Sequence, residues 1–198
     1  MIRPRKPHVV VIGGPNGAGK STAAARLLRG PLAVQEFVDA DVIARRLPAS
    51  DPATVAIEAG RVMLRRLNDL ARQRVSFAFE TTLASRSFAP WLANLRAEGY
   101  RTDVLFLWLP SAELAIARVH DRVDGGGHFV PDETVRRRYQ RGLNNFFQVY
   151  RQVATSWRLY INFNRAGPRL IARGSGEAIH RVRDNALWGL IEGLTHNG

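Results

Sequence analysis

The chain has 198 residues, of which 45% are hydrophobic and 23% are charged, and it contains no cysteine. These values are typical of one globular domain, here residues 1–198, and the lack of cysteine excludes disulfides, a thiol nucleophile and a zinc–thiolate site. The formal net charge is +12, and 27 of the 29 basic residues are arginine, which suits anionic ligands such as nucleotides, sugar nucleotides and nucleic acid. Neither a signal-peptide pattern nor an apolar stretch long enough to span a membrane is present, which predicts a cytoplasmic protein.

After a loose basic lead-in over residues 1–7, the chain reaches its strongest motif. Residues 14–21, GPNGAGKS, fill every fixed position of the phosphate-binding P-loop pattern G-x-x-x-x-G-K-[ST]. A predicted buried strand over residues 8–12 precedes the motif, and a predicted helix over residues 21–29 follows it. The motif predicts that ATP is bound with its phosphates on the backbone N–H groups and on the Lys20 amine, and that Ser21 holds Mg²⁺. The predicted ATP-binding residues are Gly14, Pro15, Asn16, Gly17, Ala18, Gly19, Lys20, Ser21 and Thr22.

Strands and helices alternate along the rest of the chain. The most apolar predicted strand, residues 102–109, is expected at the centre of the sheet. The alternation predicts parallel βαβ units and one three-layer α/β/α sandwich with a mainly parallel sheet, a P-loop kinase fold with a small helical lid around residues 124–131. In chain order the predicted elements after the first helix are a strand over 35–40, helix 51–73, strand 75–79, helix 87–98, strand 102–109, helix 111–123, helix 131–156, strands 158–163 and 170–172, and helix 177–194.

Acidic residues follow two of the predicted strands, and parallel strands bring such positions to one edge of the sheet. Asp41 is predicted to be the base that accepts the proton of an acceptor hydroxyl, as transfer from a P-loop donor requires. Asp39 lies on the same strand face and competes for that role, and capping of a helix is the structural alternative for Asp41. Glu80 is predicted to bind acceptor hydroxyls or a metal-bound water, or else to cap the loop that begins at Thr81 and Thr82.

Arginines surround a flexible glycine-rich loop at residues 124–128. Arg118 and Arg122 are four residues apart and share one helical face, and Arg138 lies in the arginine-rich helix beyond the loop. Arginines brought in by a lid stabilise the charge of a transferring phosphoryl group while water is excluded, whereas a solvated basic helix is the structural alternative. His128 lies at the tip of this loop, where a phosphate or acceptor is within reach.

The ordered set of motifs resembles the zeta toxin family of P-loop kinases. The resemblance extends over about residues 8–174 and is more specific than the P-loop alone. The segments that carry it are residues 13–22 (GGPNGAGKST), 37–44 (FVDADVIA), 79–83 (FETTL), 106–109 (FLWL), 113–119 (ELAIARV), 126–131 (GGHFVP) and 137–139 (RRY).

The resemblance implies an ATP-dependent kinase that phosphorylates the 3′-hydroxyl of the sugar in UDP-N-acetylglucosamine. Asp41 falls at the position of the family's catalytic base, Glu80 at that of a substrate-binding acid, and Arg118 at that of a phosphate-contacting arginine. The residues predicted to bind the acceptor are Asp39, Glu80, Thr81, Thr82 and His128.

Two features depart from the family pattern. His128 stands where the better-studied toxins have a second lid arginine, so Arg122 or Arg138 takes that role. This chain is also more compact than those toxins, which leaves room for a different acceptor. Toxins of this family are inhibited by a separate small helical antitoxin, which is therefore an expected partner.

Two alternatives to a sugar-nucleotide kinase follow from the same residues. The first is a P-loop kinase for another small metabolite or nucleotide. The second is a nucleic-acid-binding ATPase or polynucleotide kinase, whose affinity for nucleic acid would fall steeply with salt. The tryptophans favour the first class, because their periodic spacing predicts core positions rather than a base-stacking surface. They are Trp91, Trp108, Trp157 and Trp188.

Overall fold

Strands alternate with helices along most of the chain, as its apolar segments predict. The computed structural model describes residues 6–48, 51–127, 129–164 and 166–196. The elements in chain order are β1 (His8–Gly13), α1 (Lys20–Leu27), a 3₁₀ turn (Gly30–Leu32), β2 (Glu36–Val38), α2 (Ala40–Ala44), α3 (Pro52–Arg72), β3 (Phe77–Thr81), α4 (Phe88–Ala97), β4 (Arg101–Trp108), α5 (Ala112–Asp124), α6 (Asp132–Asn145), a π-helical segment (Phe146–Tyr150), α7 (Arg151–Val153), β5 (Ser156–Ile161), β6 (Arg169–Ser175), β7 (Ala178–Val182) and α8 (Asn185–His196).

The strands form one seven-stranded sheet in the order β2-β3-β1-β4-β5-β6-β7. The first five strands of the chain pair in parallel, and β6 and β7 are added antiparallel at one edge. β4 is the central strand and is buried from Thr102 to Trp108, as its apolar sequence predicts. The predicted α/β fold with a mainly parallel sheet is confirmed.

The sheet divides the hydrophobic core into two layers, because successive side chains of a strand point to opposite faces. On β4, Phe106 and Trp108 pack on the side of α3, α4 and α8, whereas Leu107 packs on the side of α1 and α5. Trp157 and Trp188 are also buried in the first layer, and Trp91 packs against it. The tryptophans therefore lie in the core, as predicted. Among the described residues, no helix is both long and apolar enough to cross a membrane.

The predicted C-terminal helix over residues 177–194 is wrong in its first half. Residues Ala178–Val182 form β7, which pairs antiparallel with β6, and α8 begins only at Asn185. The reason is a tight hairpin turn at Gly176, whose φ of +53° lies in the left-handed region that favours glycine. A serine–glycine pair followed by β-branched residues is a hairpin signal that the prediction overlooked.

Other predicted boundaries are also wrong. β3 is Phe77–Thr81 where residues 75–79 were predicted, and β5 is Ser156–Ile161 where residues 158–163 were predicted. The helix predicted to reach residue 156 ends at Val153, because Ala154 is extended and Ser156 already pairs with Asp103 of β4. The strand predicted over residues 35–40 ends at Val38, because the next residue caps α2.

Gly142 gives a direct test of the packing beneath the loop that follows β3. A Cβ atom on Gly142 of α6 would clash with the carbonyl oxygen of Thr82. We expect Gly142→Ala to lower the free energy of unfolding by about 1–3 kcal/mol, the usual cost of overpacking. Gly60→Ala is the matched control, because Gly60 lies within α3 and a Cβ atom there would meet no heavy atom within 4 Å beyond its adjacent residues and the backbone of its own helix. It should raise the free energy of unfolding by up to about 1 kcal/mol. Urea unfolding measures both, and equal stability of the two variants would contradict the described contact.

Candidate active site

The P-loop joins the end of β1 to the start of α1, and its glycines are required by its shape. Gly14, Gly17 and Gly19 have φ values of +144°, +74° and +72°. A Cβ atom on Gly14 would lie 2.5 Å from the backbone oxygen of Leu107, and one on Gly17 would lie 2.5 Å from that of Ala115. The loop therefore lies directly on β4 and α5, and any side chain at these positions would displace it.

Lys20 is the first residue of α1, directly after the loop, and is only 9% exposed. Its Nζ donates a hydrogen bond of 3.1 Å to the carbonyl oxygen of Pro15. Burial lowers the pKa of Lys20, while the nearby carboxylates of Glu80 and Asp41 oppose that shift. The nearby acids therefore offset part of the cost of burying the Lys20 amine.

Three acids gather opposite the loop. One carboxylate oxygen from each of Asp39, Asp41 and Glu80 lies within 4.8 Å of the other two. Asp39 is buried and is the N-cap of α2, since its carboxylate accepts a 2.7 Å hydrogen bond from the Asp41 N–H. The predicted alternative that Asp41 caps the helix is therefore wrong, because the cap is Asp39 and α2 begins at Ala40, two residues earlier than a cap at Asp41 would place it. The Asp41 side chain is 46% exposed and is the more accessible of the two aspartates.

Ser21 connects the P-loop to this acidic cluster. Its hydroxyl lies 2.7 Å from Glu80 Oε2 and 3.4 Å from Asp39 Oδ2. Burial raises the pKa of Glu80, and the negative charge of Asp39 adds to that effect, whereas Lys20 and the Ser21 hydroxyl lower it. Glu80 is therefore a carboxylate held at an energetic cost beside the P-loop.

Thr81 and Thr82 follow Glu80, and they rather than Glu80 support the backbone of the next loop. Their hydroxyls accept hydrogen bonds from the N–H groups of Leu83 and Ala84, at 3.2 and 3.4 Å. The predicted alternative of Glu80 as the cap of this loop is thus wrong, because the two threonines make these bonds. Leu83 has a φ of +56°, and Asn145 of α6 donates a 2.8 Å hydrogen bond to its carbonyl. Sequence analysis did not identify Asn145, because only the tertiary fold brings it here.

The structure places two of the predicted arginines at the site. Arg122 lies 3.4 Å from Asp41 Oδ2, and Arg138 donates to the side-chain oxygen of Asn16 in the P-loop, also at 3.4 Å. Burial lowers the pKa of Arg138, and the neighbouring Arg137 adds to that shift. His128 lies outside the described residues.

Arg118 has a different environment from the other two arginines. Its guanidinium group donates to the carbonyls of Asn162 and Phe163, at 2.9 and 2.6 Å, and to that of Gly17 at 3.5 Å. Asn162 also donates a 2.7 Å hydrogen bond to the carbonyl of Ala18. Arg118 and Asn162 thus join the P-loop to the end of β5. Asn162 was missed in the sequence because the strand predicted over residues 158–163 contains it, whereas β5 ends at Ile161 and leaves Asn162 just beyond the strand end.

Taken together, these groups can bind a polyphosphate on backbone N–H groups and an amine, and can orient a hydroxyl against a carboxylate. The hydroxyl and carboxylate oxygens around Ser21 are hard ligands of the type that Mg²⁺ prefers. This is the chemistry of phosphoryl transfer, in which positioning and charge stabilisation supply most of the rate enhancement.

Comparison with known proteins agrees with this chemistry. The model of the zeta toxin family matches residues 1–174. An uncharacterized protein of Haemophilus influenzae is 30% identical over 126 residues, which are 64% of this chain and 88% of that protein.

Several solved structures are similar over nearly the whole chain. The AvrRxo1-ORF1:AvrRxo1-ORF2 complex with ATP matches with a TM-score of 0.71 and 18% identity. The match covers 96% of this chain but only 64% of the AvrRxo1 chain. The PezAT chromosomal toxin–antitoxin system of Streptococcus pneumoniae matches with a TM-score of 0.66 and 13% identity, over 98% of this chain and 88% of the matched chain. At these identities the likeness shows a shared fold.

Proposed function

We propose that this chain, which belongs to the zeta toxin family and is an ATP-dependent phosphotransferase, transfers the γ-phosphoryl group of ATP to a hydroxyl of a sugar nucleotide. The 3′-hydroxyl of UDP-N-acetylglucosamine is the first candidate acceptor. The observation that supports the proposal is that Lys20 and Ser21 of the P-loop lie beside Asp39, Asp41 and Glu80 at one edge of the sheet. The whole of residues 1–198 is proposed to act as one kinase domain.

ATP is the proposed donor, and the AvrRxo1-ORF1 complex of the same fold was solved with ATP. Mg²⁺ fits the oxygen ligands at Ser21, whose hydroxyl already bonds to Glu80 and Asp39. When bound there, Mg²⁺ would offset the negative charge of the phosphates. The backbone N–H groups of the P-loop and the Lys20 amine hold the phosphates in place.

Asp41 is the proposed base. Both carboxylate oxygens of Asp39 are engaged, one by the Asp41 N–H and the other by Ser21, whereas the Asp41 side chain is half exposed toward the cleft. An acceptor hydroxyl that reaches Asp41 can donate its proton there as its oxygen attacks the γ-phosphorus. Glu80, with Thr81 and Thr82, would bind the acceptor beside it.

Arg122 and Arg138 are the proposed partners of the transferring phosphoryl group. Arg122 lies against Asp41, and Arg138 contacts Asn16 of the P-loop. The phosphate contact of Arg118 stays a prediction, and its hydrogen bonds to Gly17 and Asn162 support a role in holding the P-loop. An antitoxin is the proposed protein partner, since the similar structures include a toxin–antitoxin system. A cytoplasmic setting is proposed because the donor ATP is an intracellular metabolite.

Phosphate transfer from radiolabelled ATP to UDP-N-acetylglucosamine tests the proposal. We expect a labelled sugar nucleotide with wild-type protein and at least a 100-fold lower rate with Lys20→Met, which removes the P-loop charge. A folded wild type that binds ATP but leaves this acceptor unlabelled would overturn the assignment of UDP-N-acetylglucosamine. Other sugar nucleotides, free nucleotides and polynucleotide ends in the same assay distinguish the remaining acceptor classes.

A further inference from the structure

Three arginines form a row across the antiparallel edge of the sheet. Arg158 on β5 lies directly opposite Arg173 on β6, and Arg173 lies directly opposite Arg181 on β7. Residues opposite one another in neighbouring strands point to the same face, and adjacent strands are about 4.8 Å apart. Like charges in this arrangement repel one another, so the row costs stability unless a negative charge lies over it.

The protein itself does not supply that negative charge. Within the described ranges, none of these three side chains makes an ion pair or a hydrogen bond, and Arg158 Nη1 is buried without a partner. The acids of this half of the sheet are engaged elsewhere. Asp103 binds Arg101 at 2.9 Å, Asp184 binds Arg169 at 2.8 Å, and Glu177 and Glu192 lie near Arg151.

The same face has an aromatic side chain but little exposed apolar surface. Tyr160 lies two residues after Arg158, on the same face of β5. Burial raises the pKa of Tyr160, and the positive charges of Arg158 and Arg173 oppose that shift. Among the described side chains of β5, β6 and β7, Ile179 is the one large exposed hydrophobic residue. Ile179 pairs with Gly174, and a Cβ atom on Gly174 would point to Trp157, on the face of the sheet opposite the arginine row. Ile179 therefore belongs to that opposite face as well.

We infer that the row of Arg158, Arg173 and Arg181 binds the phosphate backbone of a single-stranded nucleic acid. Guanidinium groups pair with phosphate oxygens, and a basic surface beside an aromatic ring is the usual design of a sequence-tolerant single-strand site. A protein partner needs an apolar anchor at the centre of its interface, and membrane insertion needs apolar side chains. This face offers neither, whereas nonspecific nucleic-acid binding is essentially electrostatic.

The row is separate from the candidate active site. Arg158 precedes Asn162, which contacts the P-loop, by four residues, or about 13 Å of extended strand. ATP and a nucleic-acid strand therefore bind at the same time. The inference does not depend on the proposed kinase activity or on its acceptor.

Fluorescence anisotropy with labelled 20-nucleotide oligo(U) and oligo(dT) tests the inference. The affinity of wild type for both should fall as salt rises, with each phosphate contact adding about 0.7 to the slope of log affinity against log salt. In R158Q/R173Q/R181Q the slope should fall by about 2, and binding at 50 mM salt should weaken at least tenfold. The R173Q/R181Q variant keeps the partly buried Arg158 and should show an intermediate loss.

The matched control is R61Q/R65Q/R72Q, which removes the same charge from exposed arginines of α3 that already pair with Glu58 and Asp69. It should bind the oligonucleotides as wild type does, and R158K/R173K/R181K should retain most of the affinity. Four results would each overturn the inference. They are no binding by wild type at 50 mM salt, an equal loss in the α3 control, displacement by saturating ATP, and tighter binding of a 20-residue polyglutamate than of the oligonucleotides.

Discussion

Replacing Asp41 with asparagine is expected to lower the rate of phosphoryl transfer by about 10²- to 10⁴-fold, the range usual for loss of a general base. The substitution keeps the size of the side chain and removes its ability to accept the proton of the acceptor. ATP affinity should change little, because the Asp41 side chain makes its described contact with Arg122 and none with the P-loop backbone. Single-turnover transfer and separate ATP-binding measurements distinguish these effects.

The competing aspartate provides the sharper comparison. Asp39→Asn should preserve the cap of α2, because asparagine is an equally good N-cap. It should mainly raise the Mg²⁺ requirement, since Asp39 bonds to Ser21. Asp121→Asn removes an exposed acid of α5 and serves as the charge control. Full activity in Asp41→Asn with loss of activity in Asp39→Asn would instead assign the base to Asp39.

The fold was largely predictable because its signals are local. The P-loop, the buried strand before it and the apolar run of β4 each identify their own element, and alternation of strands with helices predicts parallel pairing. The failures lie at β5 and β7, where pairing with a neighbouring strand decides the structure. Ser156 continues a helical pattern in sequence but pairs with Asp103, and Ala178–Val182 is extended because β6 lies beside it. Such long-range pairing is weakly encoded in a short segment.

In the candidate site, too, local sequence signals predict some features and tertiary contacts determine the others. Lys20, Ser21 and Asp41 follow the ends of β1 and β2, and Glu80 lies near the carboxyl end of β3, so the topology of a parallel sheet predicts that they meet. The contacts of Arg118 were not predictable, since its spacing from Arg122 indicates a shared helical face and not what each guanidinium group touches. Arg118 binds backbone carbonyls beside the P-loop, whereas Arg122 lies against Asp41.

Glu80 links the stability of the fold to its proposed activity. Its pKa is raised chiefly by burial, so the folded protein favours the protonated carboxyl even though Lys20 lies nearby. The stability gained from this preference is fully present below the ordinary pKa of glutamate. It is lost as the pH rises through the raised pKa of the folded state. At neutral pH the ionised Glu80 therefore destabilises the fold.

We expect Glu80→Gln to raise the melting temperature at pH 7–8, because it removes this buried charge. Each kcal/mol gained in the free energy of unfolding raises the melting temperature of a domain of this size by about 2–4 °C. The difference in melting temperature from wild type should shrink below about pH 4.5, where wild-type Glu80 is also uncharged. Transfer should fall, with the Mg²⁺ requirement raised about 10- to 100-fold, because Ser21 loses the nearer of its two carboxylate partners. Glu113→Gln removes an exposed acid whose ion pair with Arg136 spans 3.6 Å, and it should change neither property. A Glu80→Gln variant that melts lower than wild type at pH 8 would show that the carboxylate stabilises the fold, and that Lys20 outweighs its burial.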